Sequence, residues 1–362
     1  MKTVWVHAHV GSNPTPSANQ APIFGAFLLT IKLKYGIINR KSIIKVMEVV
    51  MALIPKFYIE SVVTISVLVN NAKKCIGTGF LVGDLMEIAN GSKKYGLYLI
   101  TNKHVVKNQS QIFIGFNQNG GTSSYDFPVK LTDGQQLFYS SHIDPQVDII
   151  ALGINATFLK NMNAKYHFFP LDEQAFTISD MKDKGVFEGD LVYSLGYPLN
   201  LGNTSQKNPI CRLGCISRIS DLYIPGNPEV NFLVDAQSFP GNSGGPVILR
   251  PEFSSVIGSK FQPQAALLGI LHSYIPYKDA LISRQTGETY SIMQENSGLT
   301  NVHPVDYIIH VVKLERNRIG DKNISRYEMM IPNEQPQIEL PGQANAEENN
   351  DEINKEETET KA

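Results

Sequence analysis

Gly241-Asn242-Ser243-Gly244-Gly245-Pro246-Val247 decides how the rest of the chain is read. A serine set among small residues and followed by a proline and an apolar strand has the make-up of an acyl-transfer nucleophile. Small neighbours let a carbonyl approach the hydroxyl. Gly241 permits the backbone twist that turns the N–H groups of Gly241 and Ser243 toward one point. Two such donors form an oxyanion hole, each typically lowering the barrier by roughly 3–4 kcal/mol. A turn rich in Gly and Ser is also an ordinary surface loop, so the reading depends on a base and an orienting acid elsewhere.

Both are present. Leu99-Ile100-Thr101-Asn102-Lys103-His104-Val105-Val106 is an apolar strand running into a histidine, and Asp148-Ile149-Ile150-Ala151-Leu152 is an aspartate opening another apolar strand. Asp144 competes with Asp148 as the acid, but it precedes a proline and reads as a turn residue. The intervals, 44 residues from His104 to Asp148 and 95 on to Ser243, leave room for one small β-barrel before the nucleophile's own. The order His, Asp, Ser is one of several chain orders that reach the same geometry. Gly77-Thr78-Gly79-Phe80, Leu195-Gly196-Tyr197-Pro198 and Asp235-Ala236 complete a set of ordered motifs over about residues 58–315.

On these pieces the chain resembles the trypsin-like serine proteases and is most similar to the bacterial high-temperature-requirement (HtrA) type. The resemblance implies an all-β fold, a double six-stranded antiparallel β-barrel with a C-terminal helix. It also implies a serine endopeptidase with His104 as base, Asp148 as orienting acid and Ser243 as nucleophile. Peptides or proteins would be its substrates, with no cofactor and no metal. HtrA-type proteases usually carry a peptide-binding PDZ module after the protease, and this chain has no room for one. Asn242 stands where proteases made as zymogens have an aspartate that pairs with a newly cut amino terminus. An amide cannot form that pair, so the enzyme is expected to be competent without N-terminal processing. The alternative function is a catalytically silent double barrel used for binding.

The same resemblance places Gln237 at the base of the pocket for the side chain before the scissile bond, with Ser238 beside it. His272, Ser273 and Tyr274 would form one wall, and Tyr274 stands where a glycine keeps the trypsin pocket open. A neutral, narrow pocket favours small or medium uncharged side chains, since a buried Arg or Lys would need a paired charge. Cleavage after Glu is the rival. It draws on His272, which lies one position from the histidine of glutamyl-specific relatives, so strand alternation faces it the wrong way unless a bulge intervenes.

Composition agrees with a globular enzyme: 42% hydrophobic, 18% charged, net charge −2. Residues 1–50 carry six Lys or Arg against one Glu, and residues 333–362 carry nine Asp or Glu against two Lys. The neutral middle has no basic groove for nucleic acid. Residues 1–50 form an extension of uncertain nature. Its apolar run Ala21–Ile31 is too short to span a bilayer and too late for a good signal peptide. Three cysteines, Cys75, Cys211 and Cys215, make no disulfide framework and suggest a reducing compartment, hence a cytoplasmic location over a secreted or periplasmic one. Cys211 and Cys215 read as buried small hydrophobes, with no His or Cys pair to complete a metal site.

Residues 51–320 form the expected protease domain. Barrel 1 runs over about 58–154, with strands at Tyr58–Val69, Ile76–Val82, Tyr95–Thr101, Gln111–Phe116, Phe127–Leu131 and Asp148–Gly153. Turns are expected at Asn90-Gly91 and Asn119-Gly120-Gly121. Residues 155–187 read as the crossover. Barrel 2 spans about 188–300, and apolar spacing at Val305, Ile308, Ile309 and Val312 predicts a closing helix over about 303–315 with Asn301 as its cap. The acidic stretch 333–362 cannot bury enough surface to offset ordering entropy and is expected to be disordered. Among the other histidines, His7 and His9 lie in the extension, and His142, His167, His303 and His310 lack a strand-end context.

Overall fold

Residues 97–100 alternate between two interiors: Leu97 and Leu99 enter one apolar core, Tyr98 and Ile100 another, and all four are fully buried. That double burial is repeated across the fold and explains why its strands read as continuous apolar runs. The computed structural model describes residues 54–89, 91–202, 204–252, 262, 264–320 and the backbone of 328–332. The chain divides after Leu53, and the described residues belong to the second unit. The expected extension over 1–50 and the acidic tail over 333–362 lie outside the described residues.

A short helix α1 (Lys56–Glu60) precedes β1 (Val62–Val69) and β2 (Ala72–Ala89). Asn70 and Asn71 join these strands with φ of 50° and 62°, the left-handed pair a two-residue hairpin loop requires. Gly91, at φ 68°, precedes β3 (Ser92–Thr101), while Asn90 of the expected turn lies outside the described residues; a single helical turn α2 (Lys103–Val106) follows β3. Then come β4 (Gln111–Gln118) and β5 (Ser124–Lys130), paired across the expected Asn119-Gly120-Gly121 turn. The short β6 (Thr132–Asp133) and β7 (Gln136–Leu137) pair with each other, and β8 (Ser140–Ser141) pairs with β9 (Ile150–Gly153).

The expected crossover holds α3 (Ala156–Asn161), β10 (Ala164–Lys165), β11 (Phe169–Pro170) and α4 (Ile178–Lys184). A Thr177–Asp180 capping box starts α4, and Gly185, at φ 76°, ends it. The second half comprises β12 (Leu191–Gly196), β13 (Ile210–Arg218), β14 (Phe232–Asp235), β15 (Pro246–Leu249), β16 (Ala266–Ile282), β17 (Thr289–Pro304) and α5 (Val305–Ile319). A last strand, β18 (Glu328–Pro332), returns to β3.

The architecture is the expected all-β one with a C-terminal helix. Strands β12-β13-β14-β17-β16-β15 close an antiparallel six-stranded barrel. The N-terminal half is larger than the six strands anticipated: ten strands, with β10-β4-β1-β2-β3-β9-β8 in order and β5, β11 and β18 joined at the sides. Its core holds Ile65, Leu81, Leu99 and Ile114, while the second barrel encloses Val192, Val234, Val247 and Leu268. A third core lies between the halves, where Phe80, Tyr98, Phe169, Leu195, Ile248 and Leu267 meet Ile308 and Val312 of α5.

Four local expectations are corrected. Tyr58 belongs to α1, because its ring stacks on Phe169 in the shared core and its hydroxyl donates to Ala265. The closing helix begins at Val305 after Pro304, so His303 and Asn301 lie on β17 and Asn301 caps nothing. Asp148 precedes β9 instead of opening it. Cys211 is exposed and Cys215 half-buried, because that face of β13 looks outward; Cys75 is the buried thiol. Among the described residues no helix is long and apolar enough to cross a membrane.

Candidate active site

His104 is placed by its neighbours. Val105 and Val106 are buried and anchor α2, which turns His104 outward and leaves 46% of its side chain exposed. The Asn102 side-chain amide and the Lys103 N–H both donate to the Asp148 carbonyl, at 2.9 and 3.2 Å. That ties the end of β3 to the loop before β9.

Every polar group of Asp148 is engaged. Oδ1 accepts the His104 backbone N–H at 3.0 Å, and Oδ2 accepts His104 Nδ1–H in a short contact. Oδ2 also accepts His272 Nδ1–H at 3.1 Å, while the Asp148 N–H donates to His303 Nε2 at 3.1 Å. Burial alone would raise the pKa of Asp148. The hydrogen bonds from His104 and His272 outweigh it and hold the carboxyl well below the usual carboxylate range. An ionised carboxylate only accepts, so both imidazoles carry their proton on Nδ1. His104 Nε2 is left with a free lone pair.

Ser243 sits in the turn before β15. Gly241 and Gly244 adopt φ of 102° and 88°, and a Cβ on Gly244 would lie 2.0 Å from the Thr78 carbonyl oxygen. Thr78 clamps this turn from the other half of the molecule. Its Oγ1 donates to the Gly241 carbonyl at 2.6 Å, its N–H donates to the Ser243 carbonyl at 3.0 Å, and its Oγ1 accepts the Tyr197 N–H. That clamp accounts for the Gly-Thr-Gly and Leu-Gly-Tyr-Pro motifs. The N–H groups of Asn242, Gly244 and Gly245 are spent on Phe239, Leu271 and Asn242. Those of Gly241 and Ser243 have no acceptor among the described residues.

His104, Asp148, Gly241 and Ser243 line one cavity of about 710 Å³. The Ser243 hydroxyl donates to the His272 carbonyl at 3.4 Å. Of the residues named from the sequence for the pocket, Ser238, His272, Ser273 and Tyr274 line this cavity, together with Ile76, Gln146 and Phe239. Gln237 does not. In the chain after β14, Ala236 and Ser238 turn inward and Gln237 outward, where it is exposed. Asp148 is the lone carboxylate among the lining residues.

A bulge interrupts the β16–β17 register between Leu271 and Ser273, at His272 itself. It swings the ring to Asp148. His303, which in the sequence lacks a strand-end context, is fully buried on β17 and stacks on His272, centroids 4.6 Å apart. Burial, and after it the neighbouring His272, push the His303 pKa down to about 4. Among the described residues, His104, Asp148 and His272 are the grouping whose ligand atoms come close enough for a metal, within 4.8 Å of one another. In the hydrogen-bonded arrangement those atoms already satisfy each other.

No curated protein matches the chain. The family model described as the trypsin-like peptidase domain matches residues 77–258, a span that opens on the Gly-Thr-Gly-Phe motif and includes His104, Asp148 and Ser243. That match spans half of the sequence and takes in β3 to β15 with His104, Asp148 and Ser243 of the cavity, so the chain belongs to the trypsin-like peptidase domain family.

Proposed function

We propose that the chain is a serine endopeptidase of the HtrA type, in which Ser243, His104 and Asp148 form the triad and the N–H groups of Gly241 and Ser243 form the oxyanion hole. The observation that carries this reading is an imidazole whose Nδ1 meets the Asp148 carboxylate, lining the same cavity as Ser243 and two amides that have no acceptor among the described residues. His104 Nε2 takes the Ser243 proton as Oγ attacks the substrate carbonyl. The oxyanion moves onto the Gly241 and Ser243 N–H groups, worth about 3–4 kcal/mol per donor. His104 then delivers the proton to the leaving amine, and water releases the acyl group by the reverse sequence.

At rest the Ser243 hydroxyl points to the His272 carbonyl. A 3.4 Å bond is weak, and turning the hydroxyl toward His104 is a side-chain rotation of picoseconds to nanoseconds. Catalytic hydrogen bonds commonly tighten only when substrate is bound. The neutral lining, with Asp148 already engaged, favours uncharged side chains before the scissile bond. Three unpaired thiols, one exposed at Cys211, suit a cytoplasmic protein.

Labelling by an active-site fluorophosphonate tests the reading. Wild type should be labelled, and Ser243→Ala and His104→Ala should not. A wild type that stays unlabelled and cleaves no peptide would leave a silent binding barrel.

A further inference from the structure

Asp148 is held by more than its contact with His104. His272 places its ring Nδ1–H on the same carboxylate oxygen, and its backbone carbonyl receives the Ser243 hydroxyl. One residue thus touches the acid through its ring and the serine through its main chain. Strand alternation alone would not put that ring there; the β-bulge at residue 272 does. His303 acts one layer deeper. Its Nε2 accepts the Asp148 N–H at 3.1 Å, and its ring lies 25° from parallel with that of His272. Accepting at Nε2 puts the His303 proton on Nδ1, which faces the Val230 carbonyl at 3.5 Å, with the edge of Tyr307 closing the far side. His104 holds both carboxylate oxygens, Oδ1 through its backbone N–H and Oδ2 through its ring, so any drift of α2 carries acid and imidazole together; His272 ties Oδ2 to β16, outside that helical turn. A second donor on the same oxygen opposes that drift.

We propose that His272 and His303 are positioning residues of this site: His272 fixes the carboxylate oxygen that orients His104, and His303 fixes the Asp148 backbone and the plane of the His272 ring. The inference rests on the triad reading above. A hydrogen bond to a charged group, once lost, corresponds to roughly 10- to 100-fold in rate. His272→Ala should therefore lower kcat by about that factor with a smaller change in KM. The acid limb of the kcat/KM profile should move to higher pH, because a carboxylate no longer shared with His272 attracts the His104 proton more strongly. His272→Asn, which keeps an N–H donor, should restore much of kcat and the limb. His303→Phe keeps an aromatic ring but leaves the Asp148 N–H without an acceptor, and should behave like His272→Ala; His303→Gln should recover.

The experiment is steady-state hydrolysis of a peptide by these variants across pH, with fluorophosphonate labelling of wild type alongside. A second measurement keeps the test independent of variant folding: imidazole nitrogen NMR of the Ser243→Ala protein, in which His104, His272 and His303 should all carry their proton on Nδ1. An active wild type whose kcat and acid limb are unmoved by His272→Ala, or for which only KM rises, overturns the positioning role and leaves the triad standing. So does a His272 protonated on Nε2 alone. A wild type that is neither labelled nor active overturns both.

Discussion

Acidification should destabilise this protein through His303, and the size of the effect follows from its burial. The imidazole is fully buried, accepts the Asp148 N–H, and has its pKa lowered from 6.5 to about 4. Between those two values the unfolded chain binds a proton that the folded chain refuses. Stability therefore falls as pH drops through 6.5 and stops falling from this source below about 4. The full effect is about 3 kcal/mol, of which about 2 kcal/mol is lost between pH 7 and pH 5. His142, lowered by burial and by His310, adds in the same direction. Asp84, Asp190 and Asp306, raised by burial, act oppositely at the acid end, since protonation relieves their desolvation. Comparison with His303→Gln removes these shared contributions, because Gln can accept the same N–H and does not titrate. Urea unfolding of both proteins in the Ser243→Ala background, at half-unit steps from pH 7.5 to 4.5, gives the two stability curves without autolysis. The wild-type curve should fall about 2 kcal/mol further between pH 7 and pH 5. Parallel curves would show that His303 titrates normally, and the argument from burial would fail.

Ser243→Ala and His104→Ala should each lower turnover on a peptide by roughly 10⁶-fold, with the double variant little worse; full activity in either would refute the triad. Gly244→Ala should cost several kcal/mol, on the order of other severe core clashes, because its Cβ would lie 2.0 Å from the Thr78 carbonyl oxygen. A melting temperature within a degree of wild type would contradict that geometry. Deleting 1–50 and 333–362 should preserve both fold and hydrolysis, since the cuts spare every described strand, β18 included; circular dichroism and a peptide assay on the truncated chain decide it. Profiling with a peptide library should show cleavage after small or medium uncharged residues. Dominant cleavage after Glu would mean that His272 serves the pocket, and dominant cleavage after Arg would point to a carboxylate not seen in the lining.

The three residues proposed for the chemistry stand out because each lies beside a buried strand, His104 just after β3, Asp148 just before β9 and Ser243 just before β15, and one-dimensional patterning reports such junctions. Gly91 and Gly120 were legible because left-handed turn residues announce themselves, and both take positive φ, 68° and 72°. The full extent of β16 and β17 was not legible. The distal halves of β16 and β17 form an exposed two-stranded ribbon in which Leu281, Ile282, Tyr290 and Ile292 lie open, so no burial alternation marks them. The apolar spacing at Val305, Ile308, Ile309 and Val312 carries the helical period, and Pro304 is at home at a helix start, so nothing in the order of residues marks His303 as the end of a strand. The roles of Thr78 and His272 depend on partners more than a hundred residues away and on a one-residue slip in register. Neither leaves a trace in the order of residues. Gln237 shows the converse: its place was inferred from its distance to Ser243, yet the strand before it sets which way it faces.

The edge of β3 is shared between two distant parts of the chain. Residues Tyr98–Thr101 pair with β9, the Ile154 N–H reaches the Leu97 carbonyl, and β18 covers Ser92–Gly96. Ribosomal synthesis delivers these covers at very different times. At about 5–20 residues per second, β9 follows β3 within roughly ten seconds, whereas β18 emerges some 10–50 s after β3. For that interval Ser92–Gly96 offers unpaired backbone to any neighbouring chain. Lys93 and Lys94 lie on this segment, and lysine on an open edge discourages intermolecular pairing. The nascent ten-stranded sheet therefore carries, on the edge that waits for β18, residues that discourage pairing with another chain.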